Sequence, residues 1–168
     1  HECSSAASDV YKRQNLHPGE TVQPWHTDDG HISVPQPHGV FGISVFWALD
    51  DTTDMNGATE VLPFSHQWDT PDIAGRLQDE HFGRREDLFD TSQRDTACVK
   101  ATMKAGSVMI MRSDVWHRGG ANQTDTDRLI VTPQYCPGWA RPLETMLLAV
   151  PPETVARLPS RTQALLGY

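Results

Sequence analysis

Residues 40–62, VFGISVFWALDDTTDMNGATEVL, decide the fold. Val40 to Leu49 is rich in β-branched and aromatic residues and reads as a strand. Asp50 to Gly57 is polar and ends in Asn56-Gly57, a strong signal for a hairpin turn. Ala58 to Leu62 then reads as the returning strand. Towards the C-terminus, Ala97 to Met103 and Ser107 to Met111 read as strands split by Lys104-Ala105-Gly106. Val115 to Arg118 and Leu129 to Tyr135 flank a turn rich in Gly, Asn, Thr and Asp, which predicts a second hairpin. Towards the N-terminus, Thr21 to Asp28 (TVQPWHTD) reads as a short strand, with Pro24 marking an edge or an irregularity. Asp29-Gly30 and Pro35 to Gly39 read as loop. Ser65 to Thr96 is polar and poorly periodic, which predicts a long excursion with one short helix, of the kind that forms lids or substrate loops. Pro152 to Leu166 is helical in pattern, interrupted at Pro159. Many short strands and a helix at the end indicate an all-β sandwich or jelly roll. A mixed α+β domain is the alternative if the 65–96 stretch is more helical.

The chain has 168 residues, 38% of them hydrophobic, enough for one domain with a real core. Twelve Pro and twelve Gly suit short strands joined by turns. A formal net charge of −8 argues against a nucleic-acid or anionic-membrane partner. No apolar run approaches the roughly 18 residues of a membrane span. No signal peptide precedes the body, so a cytoplasmic setting is expected. The oligomeric state is not readable. Ser4 to Gln14, SSAASDVYKRQ, matches the in-frame translation of a common sequencing-library transposon adapter. Residues 1–14 are therefore read as an adapter scar outside the fold, and residues 15–168 as one partial domain whose natural form is longer at the N-terminus. Of the three cysteines, Cys3 falls in that scar. Cys98 and Cys136 form no CxxC and read as free thiols.

Three signals carry chemistry. In a strand, residues i and i+2 share a face, so His26 and Asp28 of His26-Thr27-Asp28 can converge on one metal ion. The tripeptide alone is common, and its plain reading is a hydrogen-bonding or surface pair. His117 sits at a strand end before Arg118-Gly119-Gly120. Two His and one carboxylate on one side of a metal leave three positions open, the facial triad of non-haem Fe(II) oxygenases. Arg128 follows His117 after a turn that would bring the next strand back beside it. There its guanidinium could fork onto the distal carboxylate of a dicarboxylic acid. Asp29 would point to the opposite strand face and is not taken as a ligand. His31 and His38 lie in the following loop and read as solvated, with substrate contact as the alternative.

The order H-x-D, a long gap, H, then R resembles the phytanoyl-CoA dioxygenase family. So do the phrases Asn56-Gly57-Ala58-Thr59 to Pro63, Ser65-His66, Ala105-Gly106-Ser107 and Trp116-His117-Arg118-Gly119-Gly120-Ala121-Asn122. The resemblance covers about residues 17–168. It implies a double-stranded β-helix (jelly roll) with a C-terminal helix. It implies Fe(II) on His26, Asp28 and His117, with 2-oxoglutarate as cosubstrate on Arg128 and O2 as oxidant. The implied reaction hydroxylates an unactivated C–H bond of a small organic substrate and releases succinate and CO2. Trp47 lies in the strand where family members often carry a Trp near the cosubstrate; a core aromatic is the equal alternative. Asn122 is expected to fix its turn, and His66 to pack and hydrogen-bond. A cupin-like metal-binding barrel and a catalytically silent fragment are the rival readings.

Overall fold

A computed structural model describes residues 8–68, 98–140 and 142–168, as two antiparallel sheets followed by short helices. The first sheet has four strands: β1 (Ser8–Leu16), β2 (Ile43–Ala48), β5 (Val108–Arg112) and β7 (Arg128–Tyr135), in the order β1-β7-β2-β5. The second has three: β3 (Glu60–Val61), β4 (Val99–Lys100) and β6 (His117–Arg118), in the order β4-β3-β6. The all-β expectation holds among the described residues. The expected excursion at 65–96 begins as a single 3-10 turn, Ser65–Gln67; residues 69–97 lie outside the described residues.

Both sequence-predicted hairpins are corrected. Asn56-Gly57 does turn the chain, and Gly57 takes φ 89°. The turn, however, leads from β2 in the first sheet to β3 in the second. Likewise β6 and β7 lie in different sheets, so the Gly119 to Asp127 connection crosses between layers. Turn chemistry specifies a local reversal; which edge the chain then meets is decided by packing. The strand predicted at Thr21 to Asp28 shrinks to one bridge, His26 to His117. Pro24 has no N–H for a ladder, and from Asp28 the chain turns, with Ile32 N–H donating to Asp29 O at 2.8 Å. Residues 8–14, read as lying outside the fold, run within β1 along β7, from Ser8 opposite Tyr135 to Leu16 opposite Arg128. Backbone pairing accepts any extended segment that reaches an open edge, so this pairing says nothing of their origin.

The core lies between the layers. Phe46, Met111, Val115 and Ile130 are buried together, with Val61 of the second sheet packed on them. A second cluster, Trp25, Leu62 and Trp116, includes the half-buried Trp68 and Cys98 at the edge of it. The outer face of the first sheet is apolar and open: Ile43, Trp47, Val108 and Ile110 are 41–69% exposed. A short helix α1 (Met146–Ala149) precedes the helical stretch predicted at Pro152 to Leu166, which forms two short helices, α2 (Pro152–Val155) and α3 (Ser160–Leu165), separated by Pro159 as expected. Cys98 is a free thiol, and the Cys136 thiol donates to Ala140 O at 3.8 Å. Among the described residues no helix is long and apolar enough to cross a membrane.

Gly57 gives this frame a direct test. A Cβ there would lie 2.1 Å from Leu16 Cδ2 and 2.9 Å from Gly120 O, on a backbone already at positive φ. Left-handed backbone and overpacking together should cost about 2–4 kcal/mol on Gly57→Ala. The expected result is a lower urea midpoint with an unchanged slope.

Candidate metal centre

His26 and His117 are brought together by their own backbones. His26 N–H donates to His117 O at 3.0 Å, and His117 N–H returns the bond to His26 O at 2.9 Å. Their rings lie 4.4 Å apart, tilted by 53°. Asp28 is fixed by its N–H on Ser113 O at 2.9 Å. Ser113 N–H donates to Gly42 O at 3.0 Å, and a Cβ at Gly42 would fall 2.3 Å from Ser113 Oγ and 3.1 Å from Tyr135 O, so a larger residue there would have to displace its neighbours. One ligand-capable atom from each of His26, Asp28 and His117 lies within 4.8 Å of the others. Asp28 Oδ1 is 3.6 Å from His117 Nε2.

The remaining polar atoms of the three side chains are engaged elsewhere. His26 Nδ1 pairs with Pro24 O and His117 Nδ1 with Val115 O, both at 2.9 Å. A ring that donates through Nδ1–H to a carbonyl keeps its lone pair on Nε2. Burial, and then the neighbouring His26, push the His117 imidazole below its ordinary value, so at neutral pH it is uncharged and free to act as a ligand. Asp28 Oδ2 accepts a hydrogen bond from Ser44 Oγ. Phe46 presents its ring edge-on to His117, centroids 5.9 Å apart. Donors of this kind, two imidazoles and one carboxylate, suit Fe(II) and leave coordination positions open.

Arg128 opens β7 and is 4% exposed. It shares the inward parity of Ile130, part of the core between the sheets. Its Nε donates to Asn56 O at 3.3 Å and its Nη2 to Gly57 O. Burial lowers its pKa from the ordinary guanidinium value. Among the described residues no carboxylate comes within ion-pair distance of it, so the buried charge is met by carbonyl dipoles.

Trp47 is not brought to this cluster. Ser44, Phe46 and Ala48 are the buried positions of β2, and Trp47, with the opposite parity, is 49% exposed on the outer face. Strand alternation makes a Trp one residue after Phe46 face the other way. Asn122 behaves as expected, donating to Leu16 O and Thr126 O and accepting from Thr124 N–H. His31 bonds the carbonyl of Asp28 at 3.1 Å. His38 is not solvated as its loop position suggested: its side chain is buried, with Nε2 3.8 Å from Asp29 Oδ2. Asp29 is buried beside the cluster but not part of it, and burial raises its pKa. Ser44 and Phe46 were missed in the sequence; their signal is parity, two inward positions on a strand facing the H-x-D segment.

The family model for phytanoyl-CoA dioxygenase (PhyH) matches residues 4–130. The dioxygenase FUM3 of Gibberella moniliformis is 30% identical over 90% of this chain and 45% of its own length. The dioxygenase sphC of Aspergillus fumigatus is 29% identical over 75% of this chain and 30% of its own. The chain thus spans less than half the length of either relative. Among solved structures, AviO1 from Streptomyces viridochromogenes is similar in fold, with TM-score 0.57 and 22% identity over 81% of this chain and 53% of that one. The non-haem α-ketoglutarate-dependent epimerase SnoN of nogalamycin biosynthesis gives TM-score 0.58 and 19% identity, over 78% and 49%.

Proposed function

The chain belongs to the phytanoyl-CoA dioxygenase family, and from that premise we propose that it carries the centre of a non-haem Fe(II)- and 2-oxoglutarate-dependent dioxygenase, built on a double-stranded β-helix. The reaction we assign is hydroxylation of an unactivated C–H bond in a small organic substrate, with release of succinate and CO2. The carrying observation is the convergence of His26, Asp28 and His117, ligand atoms within 4.8 Å, each side chain's other polar atom engaged elsewhere.

When bound, iron supplies the redox chemistry that couples O2 to decarboxylation of 2-oxoglutarate and oxygen insertion into the substrate. The protein's part is positional. His26 and His117 offer Nε2, and Asp28 offers Oδ1 and half the charge of a divalent ion. Arg128 offers a buried cation for the distal carboxylate of 2-oxoglutarate, which would replace carbonyl dipoles with a full counter-charge. Phe46 and the inter-sheet core exclude water from one side of His117.

A metal-binding barrel without oxidation chemistry is the rival reading, and the buried Arg128 speaks against it, since holding an ion needs no anion clamp. The separating experiment is 2-oxoglutarate turnover, read as succinate, with anaerobically loaded Fe(II) and His117→Ala as the control. Succinate that depends on His117 supports the dioxygenase. Iron retained without any succinate would sink it in favour of the barrel.

A further inference from the structure

We propose that Ser44 is a positioning residue that divides the labour of the Asp28 carboxylate, reserving Oδ1 for the metal and holding Oδ2 away from it. This rests on the metal-centre reading above and adds a residue to it.

Ser44 is fully buried in β2, where a hydroxyl must find a partner. Its Oγ–H donates to Asp28 Oδ2. The other oxygen, Oδ1, is the one that faces His117 Nε2 at 3.6 Å. The two oxygens of one carboxylate therefore have different company. A carboxylate left to itself can take a cation through one oxygen or through both. The buried donor draws on Oδ2 and fixes the plane of the carboxylate, which favours Oδ1 as the oxygen offered to a metal.

The placement follows from register. Ser44 stands opposite Met111 of β5 and Gln134 of β7, so strands on both sides hold its backbone. Asp28 is held on its own side by Ser113 O, and Ser113 N–H in turn donates to Gly42 O, two residues before Ser44. The carboxylate and the hydroxyl are thus tied to the same strand end. Two residues further along β2, on the same face, Phe46 packs against His117. One strand supports two of the three ligands at an i, i+2 spacing.

The arrangement parallels the two histidines, whose Nδ1 atoms are bound to Pro24 O and Val115 O. For the histidines the partners are backbone and cannot be mutated away. Ser44, by contrast, makes its hydrogen bond through a side chain, and so is open to substitution.

The test is Co(II) titration of the folded chain, read by affinity and by the visible absorption band, with circular dichroism to confirm folding. Thr and Val have the same shape and differ only by the hydroxyl, so Ser44→Thr and Ser44→Val form the decisive pair, with Ser44→Ala beside them. Loss of a partner that orients a metal ligand typically costs about 10–100-fold in affinity. Ser44→Val and Ser44→Ala are expected to bind Co(II) that much more weakly and to show an altered band, because Oδ2 is released to the metal. Ser44→Thr is expected to keep the wild-type band and to bind at least about tenfold more tightly than Ser44→Val. Equal affinity and equal bands for Thr and Val would overturn the proposal. Co(II) binding that survives His117→Ala would instead sink the metal centre, a failure visible without any Ser44 variant.

Discussion

His117→Ala is expected to abolish succinate formation and to weaken divalent-metal binding by well over 100-fold. The bound follows from comparison: losing a group that merely orients a ligand costs about 10–100-fold, and losing one of three ligands costs more. The expected magnitude also reflects where His117 sits. It is 4% exposed, pinned at Nδ1 by Val115 O and at its backbone by His26, and packed on Phe46. Little slack exists for a water to take the place of the imidazole with the same geometry. Isothermal titration with Mn(II), a redox-silent stand-in, measures the loss without relying on turnover. Metal affinity within a few-fold of wild type, in a variant whose circular dichroism is unchanged, would remove His117 from the ligand set.

Arg128→Met is the second large effect. The apparent affinity for 2-oxoglutarate is expected to fall about 30–150-fold, the equivalent of 2–3 kcal/mol for charge-assisted hydrogen bonds lost from a buried site. The same change strips donors from Asn56 O and Gly57 O, so stability should fall too. The two consequences are separable. A short 2-oxo acid without the distal carboxylate should support the wild-type protein poorly and the variant no worse, so the preference for 2-oxoglutarate collapses. If stability falls while that preference persists, Arg128 is a pin for the Asn56-Gly57 turn and not a clamp.

The legible parts of this protein are those where residue type and function coincide locally. His26-Thr27-Asp28 and Trp116-His117-Arg118-Gly119-Gly120 announce their chemistry by composition and order, and the structure brings them together. β2 announces itself by Val45, Phe46 and their neighbours. What the sequence concealed was partnership. Asn56-Gly57 marks a reversal, but nothing in it says that β3 will pair with β4 and β6 and not with β2. Trp47 was placed near the cosubstrate by family resemblance, with a core aromatic as the equal alternative; alternation along β2 puts it on the outer face, 49% exposed. β2 is apolar on both faces, outward at Ile43, Val45 and Trp47 and inward at Phe46 and Ala48, so composition does not say which face is inner. Ser44 faces inward by that alternation, and its partner Asp28 is visible only once the two are seen across from each other.

The reciprocal backbone bonds between His26 and His117 reach beyond ligand placement. Each residue's amide proton is sequestered by the carbonyl of the other, in a bridge between His26 and the first residue of β6. Neither proton meets solvent while the two residues stay bridged. Amide hydrogen exchange at these two positions should therefore report one shared opening event, with a common free energy. A divalent ion that joins the side chains is expected to slow both amides in step, by an amount set by its concentration relative to its dissociation constant. The centre thus carries a built-in gauge of its own occupancy, readable in backbone protons without spectroscopy of the metal or a substrate.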